Sequence, residues 1–467
     1  MANSGTRTVA VMTAIRQRIA ARSLPAGARL PSIRALALSM RISPSTVVEA
    51  YERLVAEGVI RSRPGAGFFV TEQPAPLTLA AIGPRLDREI DPFWVSRASL
   101  EAVPTLPMPG CGWLPADWLP QDALRRGLRG LARAQPAMLG DYPSLLGLLP
   151  LRQFLARRLG TVGVEVPPQQ VMLTDSGTQA IDDICRLCLE PGDAVLVDDP
   201  CYFNFLALLR AHRARIVGIP RTPAGPDLEA METAIARHKP RLYITNSALH
   251  NPTGGTLSPV IAHRVLKLAA EAKLTIVEDD IFADFEDEPS PRLASFDGLE
   301  RVIAIGSFSK TLSASIRCGY IAARPDWIER LADLKIATRF SGNGASAALV
   351  LTVLQEGGYR RHVEALRARL RRAMQHTIGA LAKLDIQPWL VPKGGMFLWA
   401  LLPNGIDAES LARASIEAGM VLAPGNVFSP GLTASNRMRF NVAQCQEPRV
   451  FALLEQAMAL QSSRRAG

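Results

Sequence analysis

Hydrophobic residues over the first seventy positions recur at helical spacing and then alternate along two short stretches. This pattern predicts three helices followed by two strands, at Val9–Ala21, Ser32–Met40, Pro44–Glu57, Ile60–Arg63 and Phe68–Thr71. A turn with two prolines over residues 24–31 separates the first two helices. Ser43 can cap the third helix, with Pro44 at its first position, and Pro64-Gly-Ala-Gly67 forms a tight turn between the strands.

The order of helix, helix–turn–helix and β-hairpin is the layout of a winged helix, which we place at residues 8–71. Residues 1–73 hold ten arginines and four glutamates, while the whole chain has a net charge of +10. A basic terminal segment on a less charged body indicates a polyanionic partner at that end of the chain.

The rest of the chain changes character twice. Six prolines interrupt residues 72–107, which predicts a partly extended linker with a short helix near Phe93–Leu100. From about residue 108, apolar runs alternate with helical patterns, which predicts a mostly parallel α/β sheet over residues 108–344. A smaller α/β subdomain with a long helix near Arg360–Leu384 follows at residues 345–460. The predicted strands are Val171–Thr174, Ala194–Asp198, Leu242–Thr245, Leu274–Glu278, Val302–Ile305 and Tyr320–Ala323.

Composition argues against a membrane-spanning, a secreted and a metal-binding protein. No apolar run reaches the length that a membrane span needs, and the N-terminus lacks the features of a secretory signal. The six cysteines are scattered. Cys185 and Cys188 form a CxxC inside an apolar helical pattern without a second pair nearby, which favours two core residues over a metal or redox pair. We therefore expect a reduced, cytoplasmic setting and no metal site.

Lys310 stands out because lysine is rare here: only seven of the 53 basic residues are lysines, and the first 238 residues contain none. It lies in Ser307-Phe-Ser-Lys310, directly after a predicted strand. A lysine at a buried strand end can have a lowered pKa and act as an amine nucleophile toward an aldehyde. Ser307 and Arg317 can then bind a phosphate. The alternative is a solvated surface lysine.

Four further segments follow predicted strands. Ser176, in Thr174-Asp-Ser-Gly-Thr-Gln-Ala180, begins a helix whose N-terminus can bind an anion, although an ordinary strand–helix turn looks the same. Asp279 can pair with a pyridine nitrogen or belong to a solvated acidic turn. Asn251 can bond a ring oxygen or cap its turn, and Tyr202 can stack on a ring or fill the core. All lie at carboxyl ends of predicted parallel strands, where ligands bind in open α/β sheets.

Together these motifs resemble a fold-type I aminotransferase of the aspartate aminotransferase superfamily, over residues of about 108–460. The resemblance implies that the domain binds pyridoxal phosphate, with Lys310 as the Schiff-base lysine and Asp279 at the pyridine nitrogen. It implies an effector or substrate site at Gly112 and at Arg439, which would clamp a carboxylate. The implied cofactor contacts are Asn251 and Tyr202 on the ring, Ser176, Gly177, Thr178, Ser307 and Arg317 on the phosphate, and Tyr142 on the phosphate of the partner subunit.

One position departs from that family. Its members usually carry a tyrosine three residues after the ring-pairing aspartate, and some regulators carry one two residues after it. Here these positions of the cofactor site are Phe282 and Ile281, so neither side chain can donate to the ring oxygen. We therefore expect a raised aldimine pKa and poor catalytic turnover.

The N-terminal segment strongly resembles the GntR winged helix, over residues of about 8–71. The motifs are Leu30-Pro-Ser-Ile-Arg-Ala-Leu36, Ser43-Pro-Ser-Thr-Val-Val-Glu-Ala-Tyr-Glu-Arg-Leu54 and Gly58-Val-Ile-Arg-Ser-Arg-Pro-Gly-Ala-Gly67. Pro44 stands where GntR members often have arginine, so one base-reading contact is absent. The positions that match DNA contacts are Arg34, Ser43, Ser45, Thr46, Arg61 and Arg63.

A GntR winged helix joined to an aminotransferase-like domain resembles the MocR subfamily over nearly the whole chain. The resemblance implies a transcriptional regulator that binds double-stranded operator DNA, forms a head-to-tail homodimer and has no membrane partner. Its effector domain would bind pyridoxal phosphate as an aldimine and sense an amine, an amino acid or the cofactor itself. Two alternatives stay open: a working aminotransferase with a DNA-binding appendage, and a DNA-binding protein whose second domain binds no cofactor.

Overall fold

The winged-helix segment and the α/β segment form two separate units in the computed structural model of the protein. The structure describes residues 4–20, 24, 27–71, 92–102, 105–134, 138 and 140–466. The chain divides into Met1–Asp87 and Arg88–Gly467. Residues 72–91 and 103–104 of the predicted linker lie outside the described residues, as do Ala21 and residues 25–26 of the predicted turn.

The first unit is the predicted winged helix. Its elements are α1 (Ser4–Ala20), α2 (Ile33–Met40), α3 (Pro44–Ala56), β1 (Ile60–Arg63) and β2 (Gly67–Val70). Side-chain oxygens cap two of these helices, Ser32 on α2 and Ser43 on α3. Tyr51 of α3 is fully buried, donates to the carbonyl of Pro31 at 2.8 Å and packs edge-on against Phe68 of the wing. The core of this unit thus joins α3 to the β-hairpin.

The second unit is built on an eight-stranded sheet. The strands are β3 (Val171–Thr174), β4 (Ala194–Asp199), β5 (Arg215–Thr222), β6 (Gly225–Pro226), β7 (Leu242–Thr245), β8 (Thr275–Asp279), β9 (Val302–Ser307) and β10 (Gly319–Ala322). Their order is β3-β10-β9-β8-β7-β4-β5-β6. The pairs among β5, β4, β7, β8 and β9 are parallel, and β10 and β6 are antiparallel to their neighbours. The mostly parallel sheet is confirmed, with β5 as a strand that the sequence pattern did not predict.

Helices cover both faces of this sheet. Along β4, Leu196 packs into one apolar cluster while Val195 and Val197 pack into another, as expected for a strand that is buried on both sides. The helices are α4 (Pro92–Glu101), α5 (Gln121–Leu131), α6 (Leu149–Gly160), α7 (Gly177–Cys188), α8 (Phe203–Ala211), α9 (Leu228–His238), α10 (Pro259–Ala272), α11 (Leu293–Asp297), α12 (Pro325–Arg339) and α13 (Gly344–Gln355).

A smaller antiparallel sheet follows toward the C-terminus. Its strands are β11 (Gln387–Pro388), β12 (Phe397–Leu401), β13 (Ala423–Pro424) and β14 (Arg437–Asn441), in the order β11-β12-β14-β13. They pack with α14 (Gly358–Ala382), α15 (Ala408–Glu417) and α16 (Pro448–Ala466) around a third apolar cluster. The division at about residue 345 stays a prediction, and Leu349 and Val350 of α13 pack into the core of the large sheet.

The predicted linker is shorter than residues 72–107 at its C-terminal end. Trp94 and Val95 of α4 are buried in the same cluster as the small sheet, because the helix presents them to this core. The amide of Val421 donates to the carbonyl of Pro107 at 3.1 Å, and the amide of Gly110 donates to the carbonyl of Val421 at 2.9 Å. Residues 92–102 and 105–107 are therefore part of the second unit.

A buried polar network joins three central strands. Asp198 of β4 is fully buried and accepts from Arg221 at 2.9 Å, Tyr243 at 2.7 Å and Thr245 at 2.6 Å, and His250 Nε2 lies 3.2 Å away. Burial raises the pKa of Asp198, but Arg221 and His250 outweigh burial and hold the pKa below its ordinary value. Burial lowers the pKa of His250 to about 4.

The six cysteines are free thiols; Cys185 is buried and Cys188 half-buried on α7. Across the described ranges, no group of three or more His, Cys, Asp or Glu side chains is placed to hold a metal ion. Within the same part of the chain, no helix combines the length and apolarity that a bilayer crossing requires.

Candidate functional site

The carboxyl ends of four parallel strands bring the predicted site residues together. Tyr202 follows β4, Asn251 follows β7, Asp279 ends β8 and Lys310 follows β9. These strands are neighbours in the sheet, so their ends lie along one edge. Tyr202 is half-buried, its ring centroid lies 5.0 Å from that of Phe203, and the charge of Asp279 acts on its hydroxyl.

Lys310 is a half-buried amine with an altered proton affinity. Burial, followed by the nearby Arg439, lowers its pKa to about 8. Its Nζ donates to the carbonyl of Gly112 at 2.6 Å, which places the predicted effector position Gly112 beside the amine. At neutral pH this lysine has a larger unprotonated fraction than an ordinary one, as an amine nucleophile requires.

Asp279 is a buried carboxylate, and among the described residues it has no arginine partner. Burial raises its pKa to about 6, against the opposing effect of the Ile281 amide, which donates to Oδ1 at 3.2 Å, and of Lys310. The side chain of Asn246 donates to the main-chain carbonyl of Asp279 at 2.8 Å. A buried carboxylate of this kind is suited to pairing with a cationic ring nitrogen.

Arg439 is a fully buried cation on β14. Its Nη1 donates to Asn251 Oδ1 at 3.0 Å and its Nη2 to the carbonyl of Gly110 at 2.6 Å. The guanidinium lies 4.3 Å from the ring centroid of Phe397 and 4.8 Å from that of Phe428. Among the described residues no carboxylate pairs with it and its Nε has no hydrogen-bond partner. Burial lowers its pKa to about 10, so an anionic ligand would restore the missing charge partner.

An anion cradle lies beside Lys310. Ser176 caps α7 by accepting from the Gln179 amide at 3.0 Å, and Gly177 and Thr178 begin that helix. Amides in a first helical turn lack intrahelical partners and favour anions. A Cβ on Gly177 would lie 3.8 Å from the Cβ of Ser307, so the helix start adjoins the segment that carries Lys310.

Arg317 and Tyr142 differ in their relation to this cluster. Arg317 is exposed, has a φ of +53° and acts electrostatically on Lys310, so it lies near the cradle. Tyr142 is 76% exposed, and its ring lies 5.0 Å from that of Phe340. Within the described part of the same chain, Tyr142 makes no contact with the residues around Lys310. Its exposed side chain is therefore available to a second copy of the protein.

The residues that match DNA contacts lie on the first unit. The exposed residues of this set are Arg34 near the start of α2, Ser43 and Ser45 around the start of α3, and Arg61 and Arg63 of β1. Side chains at the N-terminal end of a recognition helix are those that reach base edges, and cations on a wing meet phosphates.

Thr46 does not belong to this exposed set. The sequence predicts it as a DNA contact, but it is buried, with its hydroxyl 2.7 Å from that of Ser43. The third helical position of α3 faces the winged-helix core. Arg41, which the sequence prediction omits, is exposed at the turn just before α3; its place two residues before the cap is the signal that could have found it.

Comparison with known proteins divides the chain in the same way. Residues 7–70 match the bacterial regulatory proteins of the gntR family, and residues 116–456 match aminotransferase class I and II. The chain belongs to the aminotransferase class I and II family, as a GntR-linked member of the MocR subfamily.

Relatives of this MocR protein include regulators and enzymes. It is 27% identical to the uncharacterized HTH-type transcriptional regulator YdfD of Bacillus subtilis, over 89% of this chain and 88% of that protein. It is 31% identical to the 2-aminoadipate transaminase of Thermus thermophilus, over 71% of this chain and 84% of the enzyme. The crystal structure of LysN, an alpha-aminoadipate aminotransferase of Thermus thermophilus complexed with N-(5'-phosphopyridoxyl)-L-leucine, has a TM-score of 0.70 at 27% identity, covering 80% of this chain and 97% of that chain.

Two features of the MocR site were not predicted, the role of Asn441 and the packing of Phe282. Asn441 of β14 donates to the carbonyls of Cys111 at 3.2 Å and Trp113 at 2.7 Å, and thereby fixes the segment beside Lys310; its place two residues after Arg439 is the signal that could have found it. Phe282 is buried against Phe397, one of the rings that flank Arg439. Phe282 thus supports the site through packing and supplies no hydroxyl.

Proposed function

We propose that this MocR protein is a cytoplasmic transcriptional regulator whose effector unit binds pyridoxal phosphate and a small amine or amino acid. The observation that carries the proposal is the grouping of Lys310, Asp279 and Arg439 in a chain that also carries a winged helix with an exposed basic surface. Sensing and DNA binding are thereby combined in one polypeptide.

The residues present fit pyridoxal phosphate. In the part of the chain that the structure describes, the buried carboxylate of Asp279 has no cationic partner other than Lys310, and the start of α7 offers free amides to a phosphate. The cofactor, when bound, supplies an electrophilic aldehyde and an electron-withdrawing ring. Lys310 would supply the amine and Asp279 would hold a proton at the ring nitrogen, while Asn251 and Tyr202 would orient the ring. The phosphate ligands would be Ser176, Gly177, Thr178, Ser307 and Arg317.

The exposed Tyr142 supports a head-to-tail homodimer as part of this function. In that arrangement the Tyr142 hydroxyl of one copy would donate to the phosphate bound by the other copy. Each cofactor site would then be complete only in the dimer.

Arg439 indicates the chemistry of the effector. A buried guanidinium without a carboxylate partner binds a ligand carboxylate by a bidentate fork, and the surrounding rings exclude water from that contact. Gly112 lies at the same site. The ligand would change operator binding only by its differential affinity for the two arrangements of the winged helices.

An aminotransferase with a DNA-binding appendage is the second candidate. The complete set of Lys310, Asp279, Asn251 and Arg439, together with 31% identity to a transaminase, favours it. Phe282 and the intact winged helix count against it. Rapid multiple turnover with a panel of amino acids and keto acids would establish the enzyme, and a single turnover without regeneration would support the regulator.

DNA binding tests the regulator directly. We expect salt-dependent binding of the full chain to the DNA upstream of its own gene, measured by fluorescence anisotropy. Replacing Arg61 and Arg63 by alanine should weaken binding to all sequences and reduce the salt slope by about one per lost phosphate contact. Arg157→Ala, at an arginine on the last turn of α6 in the other unit, is the matched control. No binding by the wild type, with or without cofactor, would refute the regulator.

The missing hydroxyl at Phe282 makes a spectroscopic prediction. The cofactor-loaded protein should keep its yellow colour through neutral pH, because the ring oxygen lacks a tyrosine donor and holds the adjacent proton more strongly. Phe282→Tyr should move the colour change to lower pH. A pH titration of the visible absorbance measures both proteins, and a yellow-to-colourless change of the wild type near pH 7 would contradict the prediction.

A further inference from the structure

Lys335 is an unusual residue for this chain. All seven lysines lie in described ranges: five are exposed, Lys310 is half-buried at the site, and Lys335 is buried with 1% of its surface exposed. Lysines are almost never fully buried unless their ammonium is hydrogen bonded. The contacts of this ammonium therefore indicate why the residue is a lysine.

The Nζ of Lys335 joins two main-chain carbonyls. It donates to Leu145 at 2.8 Å and to Leu173 at 3.0 Å. In the described part of the chain no carboxylate forms an ion pair with it, and a Cβ on Gly342 would lie 3.3 Å from Nζ, so Gly342 lies directly beside the ammonium. Burial, followed by Arg339, lowers the pKa of Lys335 to about 8. Among the described residues, the hydrogen-bond acceptors of this ammonium are thus backbone oxygens.

The two carbonyls belong to segments with related tasks. Leu145 lies in residues 141–147, which we call the Tyr142 loop. Leu173 lies in β3, and the chain leaves β3 directly into the phosphate cradle at Ser176 and Gly177. One ammonium therefore bridges the loop that is directed toward a partner's phosphate and the strand that leads to the chain's own phosphate site.

Helix α12, which carries Lys335, contacts the same two regions again. At its end, Phe340 packs on the ring of Tyr142 with centroids 5.0 Å apart. Arg339 forms a bidentate pair with the buried Asp183 of α7, the helix whose first turn forms the cradle, with Nη1–Oδ1 at 2.9 Å. Phe340 has a φ of +66°, which is a strained backbone value for a bulky residue. In this conformation its ring packs on Tyr142.

We propose that Lys335 is a positioning residue that fixes the Tyr142 loop relative to the phosphate cradle and thereby couples cofactor binding in one subunit to the site of its partner. This proposal rests on the proposed function, since it requires the cofactor and the head-to-tail homodimer. A lysine suits the task because its single extended amine donates to two carbonyls in a narrow space, whereas the broader guanidinium of arginine would meet Gly342.

Mixed dimers with one complete site test the coupling across subunits. One subunit carries Lys310→Ala and keeps Tyr142; the other keeps Lys310 and carries Tyr142→Phe. Two affinity tags isolate the mixed dimer, and its complete site is titrated with pyridoxal phosphate by visible absorbance. Lys335→Met is then added to the subunit that supplies Tyr142. We expect the Kd of the complete site, located in the other subunit, to rise about tenfold, as for residues joined in one network.

Matched variants keep the test decisive. Lys383→Met, at an exposed lysine, should leave the Kd unchanged when added to the same subunit. Phe340→Leu, at a residue 61% exposed, removes the ring contact without disturbing the core and should raise the Kd about threefold. If Lys335→Met does not fold, the Kd measured with Phe340→Leu decides whether the two subunits are coupled. An unchanged Kd with either folded variant overturns the coupling, because a purely local structural role would not reach the other subunit's site.

The same titration separates the two proposals. A wild-type protein that binds no pyridoxal phosphate refutes the proposed function, and the coupling with it. If the wild-type protein binds the cofactor but the Kd of the mixed dimers does not change with Lys335→Met or Phe340→Leu, only the coupling is refuted.

Discussion

Replacing Lys310 by alanine is expected to abolish the absorbance band of the lysine-linked cofactor and the response of the protein to an effector, while operator binding persists. Lys310 holds the amine of the site, and its lowered pKa of about 8 suits it to an aldehyde. The winged helix has its own core around Tyr51, so it does not depend on this residue. Absorbance and anisotropy titrations measure both properties. In the wild type, an effector should change operator affinity by roughly 5- to 150-fold.

Lys383→Ala is the matched control for Lys310, because it removes an exposed lysine from the same unit. It should behave as the wild type in both titrations. If Lys310→Ala kept the full effector response, the response would not require the amine, and the effector would act through non-covalent contacts such as those of Arg439.

Replacing Asp198 by alanine is expected to lower the free energy of unfolding by about 3–5 kcal/mol, the cost of leaving a buried charge unpaired. Arg221 would lose its only carboxylate among the described residues, and the hydroxyls of Tyr243 and Thr245 would lose their acceptor. All three groups are buried. Urea unfolding followed by circular dichroism measures the change.

The control for Asp198 is a solvent-exposed pair of an arginine and a carboxylate on the same protein. Glu364 pairs with Arg360 at 2.9 Å on α14, with both side chains largely exposed. Glu364→Ala should change the free energy of unfolding by less than about 1 kcal/mol. If Asp198→Ala lowered the free energy of unfolding by as little, rearranged side chains or water molecules would have replaced the hydrogen bonds lost with Asp198.

The strand ends that carry the site could be predicted because apolar runs stop sharply at polar residues. The apolar run of β8, for example, ends at Val277, and the strand itself runs two residues further to Asp279, the residue that the site requires. Strand β5 escaped prediction because arginine and proline interrupt it: its Arg221 lies inside the sheet, where Asp198 neutralises it. A strand that contains a charged residue is not predicted from its local pattern when the oppositely charged partner lies far away in the sequence.

Contacts across the chain could not be predicted from local patterns. Arg439 meets Asn251 and Lys310 meets Gly112 although more than 180 residues separate each pair. These contacts depend on how β14 and the segment around Gly112 pack over the large sheet. Thr46 shows the same limit at short range, because a motif position does not reveal whether a helical side chain faces DNA or the core.

Helix α4 also determines where this protein can be divided. Trp94 and Val95 fill the core beneath the small sheet, so a truncated effector unit that began at residue 108 would lose two core side chains and expose the apolar surface they cover. Such a fragment would be prone to aggregate for a reason unrelated to its cofactor or ligand. An effector unit intended for biophysical work should therefore begin upstream of Pro92.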